Sequence, residues 1–147
     1  MFESFAEYES LYTPDGFAAT AITTWQIALR MAEGPVWVAV SGERILGTAS
    51  VTPKGDSLYV RGMAVLPSAR GQRIGELLLT HVEQFAASES FRRLTLSTTP
   101  FLFRAIRLYE HFGFQRTDEG PHELFGTPLF SMQKILFESS PRERVKA

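Results

Sequence analysis

The chain contains no cysteine. Disulfides, thiolate metal sites and a cysteine nucleophile are therefore excluded. Histidine is scarce as well: His81, His111 and His122 are scattered, with no metal-ligand spacing. Neither sign of charge dominates. Fifteen Lys and Arg stand against sixteen Asp and Glu, a formal net charge of −1. That balance argues against the broad basic surface of a nucleic-acid binder. No apolar run approaches the ~20 residues needed to span a bilayer. The start, Met1-Phe2-Glu3-Ser4, is acidic and amphipathic, unlike a signal peptide. A Gly-x-Ser-x-Gly elbow is missing, so a serine hydrolase finds no support. The expectation is a soluble, cytoplasmic protein with no nucleic-acid partner, no membrane partner and no metal.

What is present suits one compact domain. The 147 residues are 44% hydrophobic and 21% charged, enough to build a core without staples. Periodicity predicts a helix over 2–12, with Phe2, Phe5, Tyr8, Leu11 and Tyr12 at helical spacing, then a turn at Thr13-Pro14-Asp15-Gly16. A second helix is expected over 22–33, with Ile22, Trp25, Leu29 and Ala32 on one side and Gly34-Pro35 as its stop. Strands follow at 36–40, 45–52 and 57–65, the first two joined by a hairpin turn at Ser41 to Arg44. A long helix over 73–88 carries the stripe Ile74, Leu77, Leu78, Val82 and Phe85. A strand at 92–98 precedes a helix at 101–112 with Leu102, Ile106, Tyr109 and Phe112 on one face. Gly113 ends that helix. Two last strands, 114–117 and 129–137, flank an irregular loop at 118–128. This order gives an α/β three-layer domain with a mixed sheet and helices on both faces, spanning 1–137. Residues 138–147 form a charged, proline-broken tail, expected to be loose.

The string Arg70-Gly71-Gln72-Arg73-Ile74-Gly75 lies between a strand and a long helix. The first turn of a helix has unpartnered N–H groups and partial positive charge, and small residues let an anion approach the backbone. Each helix-end interaction contributes only about 0.3–1 kcal/mol at an exposed site, so several must converge. The string is neither a Walker A loop nor a dinucleotide fingerprint. By spacing alone it reads as a helix N-terminus carrying surface arginines.

Longer matches change that reading. The run Met63-Ala64-Val65-Leu66-Pro67-x-x-Arg70-Gly71-x-x-Ile74-Gly75-x-x-Leu78-Leu79 resembles the acetyl-CoA-binding motif of the GNAT superfamily of N-acetyltransferases. Downstream, Ala105-Ile106-Arg107-Leu108-Tyr109-Glu110-His111-Phe112-Gly113-Phe114 resembles that family's helix ending Leu-Tyr-Glu-x-x-Gly-Phe. The two motifs fall in the family's order, and the resemblance covers roughly residues 36–137.

The resemblance implies a fold and a chemistry. Two central strands splay apart at a bulge, which Gly62 would suit, and the pantetheine arm lies in the V against Met63, Ala64 and Val65. Arg70, Gly71, Gln72, Arg73, Ile74 and Gly75 hold the pyrophosphate. The acyl group borders Val60 to Met63 and the end of the strand Leu94 to Thr98. The acceptor, a small-molecule or peptide amine, attacks acetyl-CoA directly in a ternary complex. Tyr109 falls where the family's general-acid tyrosine sits, and a phenol with a pKa near 10 stays protonated at neutral pH. Spacing alone makes Tyr109 a core residue on an apolar helix stripe. A CoA-holding sensor or scaffold with this fold is the alternative.

Three positions depart from the family's pattern. Arg73 replaces its middle glycine, and an outward side chain there would leave the N–H for phosphate. Leu102 stands where an asparagine often bonds the cofactor arm. Arg61 stands where an acidic base or water holder is common. No general base is therefore assigned; the amine could lose its proton through ordered water, or to loop residues His122 or Glu123. Tyr12, Phe17 and Trp25 read as core residues that can also shape access of the acceptor. Phe125, Pro128 and Phe130 make an apolar loop fit to wall the acceptor pocket or a dimer contact. The family's first strand is expected to be missing, which would leave Val36 to Val40 an exposed edge unless it pairs with a partner chain, as in a homodimer.

Overall fold

The structure, a computed structural model, describes residues 1–137; the tail expected at 138–147 lies outside the described residues. Its centre is a six-stranded mixed sheet in the order β1-β2-β3-β4-β8-β5. The strands are β1 (Val36–Ser41), β2 (Arg44–Lys54), β3 (Ser57–Val65), β4 (Arg93–Thr98), β5 (Gln115–Thr117) and β8 (Phe130–Ile135). Only β3 and β4 run parallel; every other neighbouring pair is antiparallel. No strand precedes β1 among the described residues, and β1 is an edge, with Val38 and Val40 exposed.

The crossover from β3 to β4 is α4 (Ile74–Ser88). Its apolar stripe supplies Leu78, Leu79, Val82 and Ala86, all nearly solvent-free, to the sheet face carrying Leu58, Val60, Leu94 and Leu96. Burying a side chain of this kind contributes about 1.5–3 kcal/mol, so this layer is the main source of stability. Helix α5 (Phe103–His111) presents Tyr109 to the same core and ends at Gly113, with φ +93.

The amino-terminal region departs from its expected form. The helix expected over 2–12 is a short α1 (Phe2–Phe5) continued as a 3-10 helix from Ala6 to Leu11. The segment expected to turn at Thr13 instead starts α2 (Pro14–Thr20). Thr13 is its N-cap, accepting from the Gly16 amide at 3.0 Å, and Pro14 sits in its first turn. Thr-Pro-Asp-Gly suits a turn and a helix start equally, because both need the same cap and the same fixed proline φ. Helix α3 (Thr24–Met31) opens on a capping box between Thr23 and Gln26. Its expected core residues Trp25 and Leu29 are exposed, Trp25 by 72%.

The loop expected at 118–128 holds two minimal strands, β6 (Glu123–Leu124) and β7 (Thr127–Pro128), paired as a ribbon. This ribbon locks onto the start of α2. The Thr13 amide donates to Thr127 Oγ1 at 2.9 Å, and the Thr13 hydroxyl donates to the Phe125 carbonyl at 2.8 Å. Thr127 is 1% exposed. Thr127→Val keeps the shape but leaves the Thr13 amide without its acceptor, which costs about 1–3 kcal/mol. Urea unfolding is expected to show that loss; a change within about 0.5 kcal/mol, the range of an ordinary surface substitution, would sink the assignment.

Candidate functional site

The site begins where the sheet opens. β3 and β4 stay in register from Ser57 with Arg93 to Val60 with Leu96, and no further. β3 runs on to Val65, while β4 continues beside β8. On the other side of β3, Gly62 pairs with Ser50 and Val60 with Val51, so Arg61 is the extra residue of a bulge. A bulge bends and twists its strand. Beyond it, Met63, Ala64 and Val65 have a strand partner on the β2 side only. Gly62, expected to suit an irregular backbone, stands directly beside the bulge. An added Cβ there would meet Arg30 Nη1 at 2.5 Å, so the missing side chain makes room for a guanidinium.

The chain next turns through a 3-10 helix (Pro67–Ala69) into Arg70, Gly71 at φ +85 and Arg73 at φ +60. Arg73 is the N-cap of α4 in the left-handed region, and no side chain caps this helix. The amides of its first turn thus lack a capping acceptor. Arg73 keeps the conformation that a glycine would favour, at a cost of about 1–2 kcal/mol. Its side chain points out, 86% exposed, 3.9 Å from Glu76. Arg70 is turned otherwise: its guanidinium pairs with the Glu7 carboxylate and donates to the Ser4 carbonyl at 3.2 Å.

Between the end of β3, this cradle and α5 lies a cavity of about 360 Å³. Met63, Ala64, Val65, Arg70, Gly71, Arg73, Ile74 and Gly75 all line it, as do Leu102 and Tyr109; Gln72 does not. A free helix end with two arginines, opening on a half-paired strand edge and an apolar floor, fits an acyl-CoA: anion, amide arm and acyl chain in that order. Sequence reasoning missed one wall. Ser4, Phe5 and Tyr8 of the amino-terminal segment also line the cavity. That segment is held by aromatic contacts of Tyr8 and Tyr12 with Phe101, at 6.2 and 4.7 Å between ring centroids.

A second cavity of about 280 Å³ lies on the other side of the opening. Tyr12, Tyr59 to Met63, Leu96 to Thr99 and Phe125 line it, and so does Arg30, for which the sequence carried no signal. The two cavities share Phe5, Met63, Leu102, Ala105 and Tyr109. Tyr109 is 8% exposed. Burial, then the neighbouring phenols of Tyr12 and Tyr59, push its pKa up to about 12. It is a proton-bearing hydroxyl at any physiological pH.

The other residues singled out by sequence lie elsewhere. Arg61 is half exposed at the mouth and pairs with Glu33 at 3.7 Å. His122, Glu123 and Pro128 are exposed and line neither cavity. Phe17 and Phe130 are buried in the packing, and Trp25 lines neither cavity. His81 meets Trp37 edge to face. His111 is largely exposed, 4.0 Å from Glu76. No Asp, Glu or His lines the second cavity, and no cluster of metal-ligating side chains occurs among the described residues.

The sequence profile of the Acetyltransferase (GNAT) family matches residues 2–114. The probable N-acetyltransferase family 8 member 5 of Mus musculus is 36% identical over 92 residues, 58% of this chain and 40% of that protein. The uncharacterized N-acetyltransferase YjgM of Escherichia coli is 33% identical over 86 residues, 56% of this chain and 52% of that protein. The chain thus spans about half or less of the length of these relatives. Among solved structures, Ard1 of Thermoplasma volcanium superposes with a TM-score of 0.74 at 17% identity, over 86% of this chain and 95% of that one. A GNAT family acetyltransferase of Elizabethkingia anophelis with acetyl-CoA bound gives 0.66 at 21% identity, over 78% and 84%. Fold, motif order and profile agree, and the chain belongs to the GNAT acetyltransferase family.

Proposed function

We propose that this protein is an N-acetyltransferase that moves an acetyl group from acetyl-CoA to a primary amine by direct attack. The observation that carries the reading is the meeting of two cavities at Tyr109: one has an anion cradle and a strand edge, the other is open to an acceptor. When bound, acetyl-CoA supplies an activated acyl thioester. The protein's part is to hold, orient and exclude water. The first-turn amides of α4 around Ile74 and Gly75, with Gly71, Arg70 and Arg73, hold the pyrophosphate. The open edge of Met63, Ala64 and Val65 holds the arm, and Val60 to Met63 border the acyl group. Because this donor is an intracellular metabolite, the reading places the reaction in the cytoplasm.

Tyr109 is the hydrogen-bond donor to the sulfur as charge builds there. Its raised pKa makes full proton transfer to an ordinary thiolate, of pKa about 8.5, uphill by ~3.5 units or ~5 kcal/mol. Burial opposes charge on the sulfur by the same physics, which narrows that gap. The donated hydrogen bond therefore matters more than outright protonation. Tyr109→Phe is expected to lower kcat by about 10²-fold or more, with little change in KM for acetyl-CoA. Thiol release by the two proteins measures this, and unchanged turnover overturns the role. CoA binding by calorimetry without thiol release on any amine would instead favour the sensor reading.

The same phenol has a signature in stability. Its folded pKa of about 12 lies above the unfolded value near 10. Below pH 10 both states keep the proton and stability is unaffected. Above it the unfolded phenol ionises first, so stability is lost as pH rises from 10 through 12, by about 2–3 kcal/mol. Tyr12, also raised by burial, adds a loss of the same sign. Urea midpoints at pH 9 and pH 11.5 should fall less in Tyr109→Phe than in the parent protein; equal falls would contradict the burial of Tyr109.

A further inference from the structure

We infer that the acceptor is an amine bearing a carboxylate, of α-amino-acid type, and that Arg30 is the residue that anchors the carboxylate. This rests on the acetyltransferase reading of the site and names the substrate class of its second cavity.

The cavity's charge is one-sided. Arg30 and Arg61 line it, and no Asp or Glu does among the described residues. Arg61 is compensated by Glu33 at 3.7 Å. Arg30 is partly buried and has no ion pair or side-chain hydrogen bond among the described residues. Burial, and then the like charge of Arg61, lower its pKa, with only Glu33 and Tyr59 pulling the other way. A guanidinium partly withdrawn from water without a partner carries a cost that a bound anion offsets. Its tip lies against the splayed strand, where Nη1 occupies the space beside Gly62.

A second observation lies in the same cavity. Thr99 is 2% exposed, lines the cavity, and its hydroxyl has no hydrogen-bond partner. The Tyr12 phenol is near enough for Thr99 to lower its pKa. That contact falls short of hydrogen-bond geometry, which leaves the Thr99 hydroxyl able to turn to a ligand. Orphaned buried polar atoms are rare in folded proteins and cost stability. A ligand with acceptor oxygens satisfies Thr99 and Arg30 together, while the surrounding Val60, Leu96 and Phe125 favour an apolar side chain.

The chemistry points the same way. No carboxylate or imidazole in this cavity can take a proton from an ammonium. A lysine-type amine, with a pKa of about 10.4, is neutral in under one molecule in a hundred at pH 8, whereas an α-amino group at about 7.7–8.0 is half neutral or more. A free carboxylate beside the amine holds its proton more tightly, and pairing that carboxylate with Arg30 cancels the effect. Arg30, with no carboxylate lining the cavity among the described residues, also disfavours a polycationic acceptor.

The test uses the full chain with acetyl-CoA, L-phenylalanine and L-methionine, each beside its primary amide. Thiol release is expected to favour the acids over the amides in kcat/KM by at least about tenfold. In Arg30→Gln the acid-to-amide ratio falls to near one through a raised KM for the acid, and Arg30→Lys recovers part of it. Thermal melting shows whether the variants are folded. Calorimetry of the same four compounds with the CoA-loaded protein reads binding without turnover. Acid-selective binding that Arg30→Gln abolishes supports the anchor even if no amine is acetylated, in which case the acetyltransferase reading alone fails. Amides bound or turned over as well as the acids, an Arg30→Gln ratio unchanged from the parent, or no binding of either acid overturns the inference.

Discussion

The parting of β3 from β4 after Val60 and Leu96 is the constraint on which the site depends. A parallel pair that stops early leaves backbone polar groups of Met63 to Val65 with no strand on one side. Unpaired backbone in a partly buried place is costly. The cost is limited here because the gap is a cavity open to solvent or ligand, not packed core. The bulge at Arg61 supplies the bend, and β2 and β8 keep the outer edges of β3 and β4 paired, so each strand is unpaired only on the side that faces the gap. Below the split, Leu58, Val60, Leu94 and Leu96 close the core under α4 with almost no exposure. The opening therefore rests on a rigid layer, and the two cavities on either side of it are fixed relative to each other.

The amino-terminal segment closes what the sheet leaves open. Its link to the cradle is polar, through Arg70 to Glu7 and Ser4. Its link to α5 is aromatic, through Tyr8 and Tyr12 on Phe101. The arginine expected to meet phosphate is thus already tied to a carboxylate in this state. The pair is only partly exposed, and a pyrophosphate that also accepts from the first-turn amides of α4 would compete with Glu7 for this guanidinium. A single guanidinium thus joins the cradle to the segment that lines both cavities.

Much of this was legible in the sequence wherever a local pattern carried it. Strand alternation and the 3.6-residue stripe located β1 to β4, α4 and α5 to within a few residues, because burial on one face fixes those periods. The cradle was legible for the same reason: Gly71 and Arg73 lie in one short turn between two periodic elements. Tyr109 was ambiguous, since a helix stripe cannot distinguish a residue facing core from one facing a cavity lined by core, and it proved to face both. Thr13-Pro14-Asp15-Gly16 was misread because turn and helix start share their chemistry. Trp25 and Leu29 were misplaced because α3 is amphipathic with its apolar side only partly covered. Arg30, Thr99, Ser4 and Phe5 left no local trace; their roles arise from elements distant in sequence that the sheet opening brings together.

The departures from the family's pattern then form one chemical picture. On the proposed reading, an acidic residue at position 61 would place a base and a negative charge beside the acyl group. Arg61 places a positive charge there instead, and Arg30 adds another. A cavity so built cannot deprotonate an amine through its own carboxylate. On the proposed reading, it would make an ammonium less favourable than a neutral amine, since a further positive charge near the partly buried Arg30 is disfavoured, while the charge of Arg61 is offset by Glu33. That is a base's effect reached by electrostatics, and it acts on the acceptor before the acyl group is engaged. It has a condition: the acceptor must be drawn in despite the repulsion, by contacts the cation does not oppose. Apolar lining and an anion-seeking guanidinium are the two such contacts this cavity has, which is why the sign of the charge at positions 30 and 61 bears on both the protonation of the nucleophile and the identity of the acceptor.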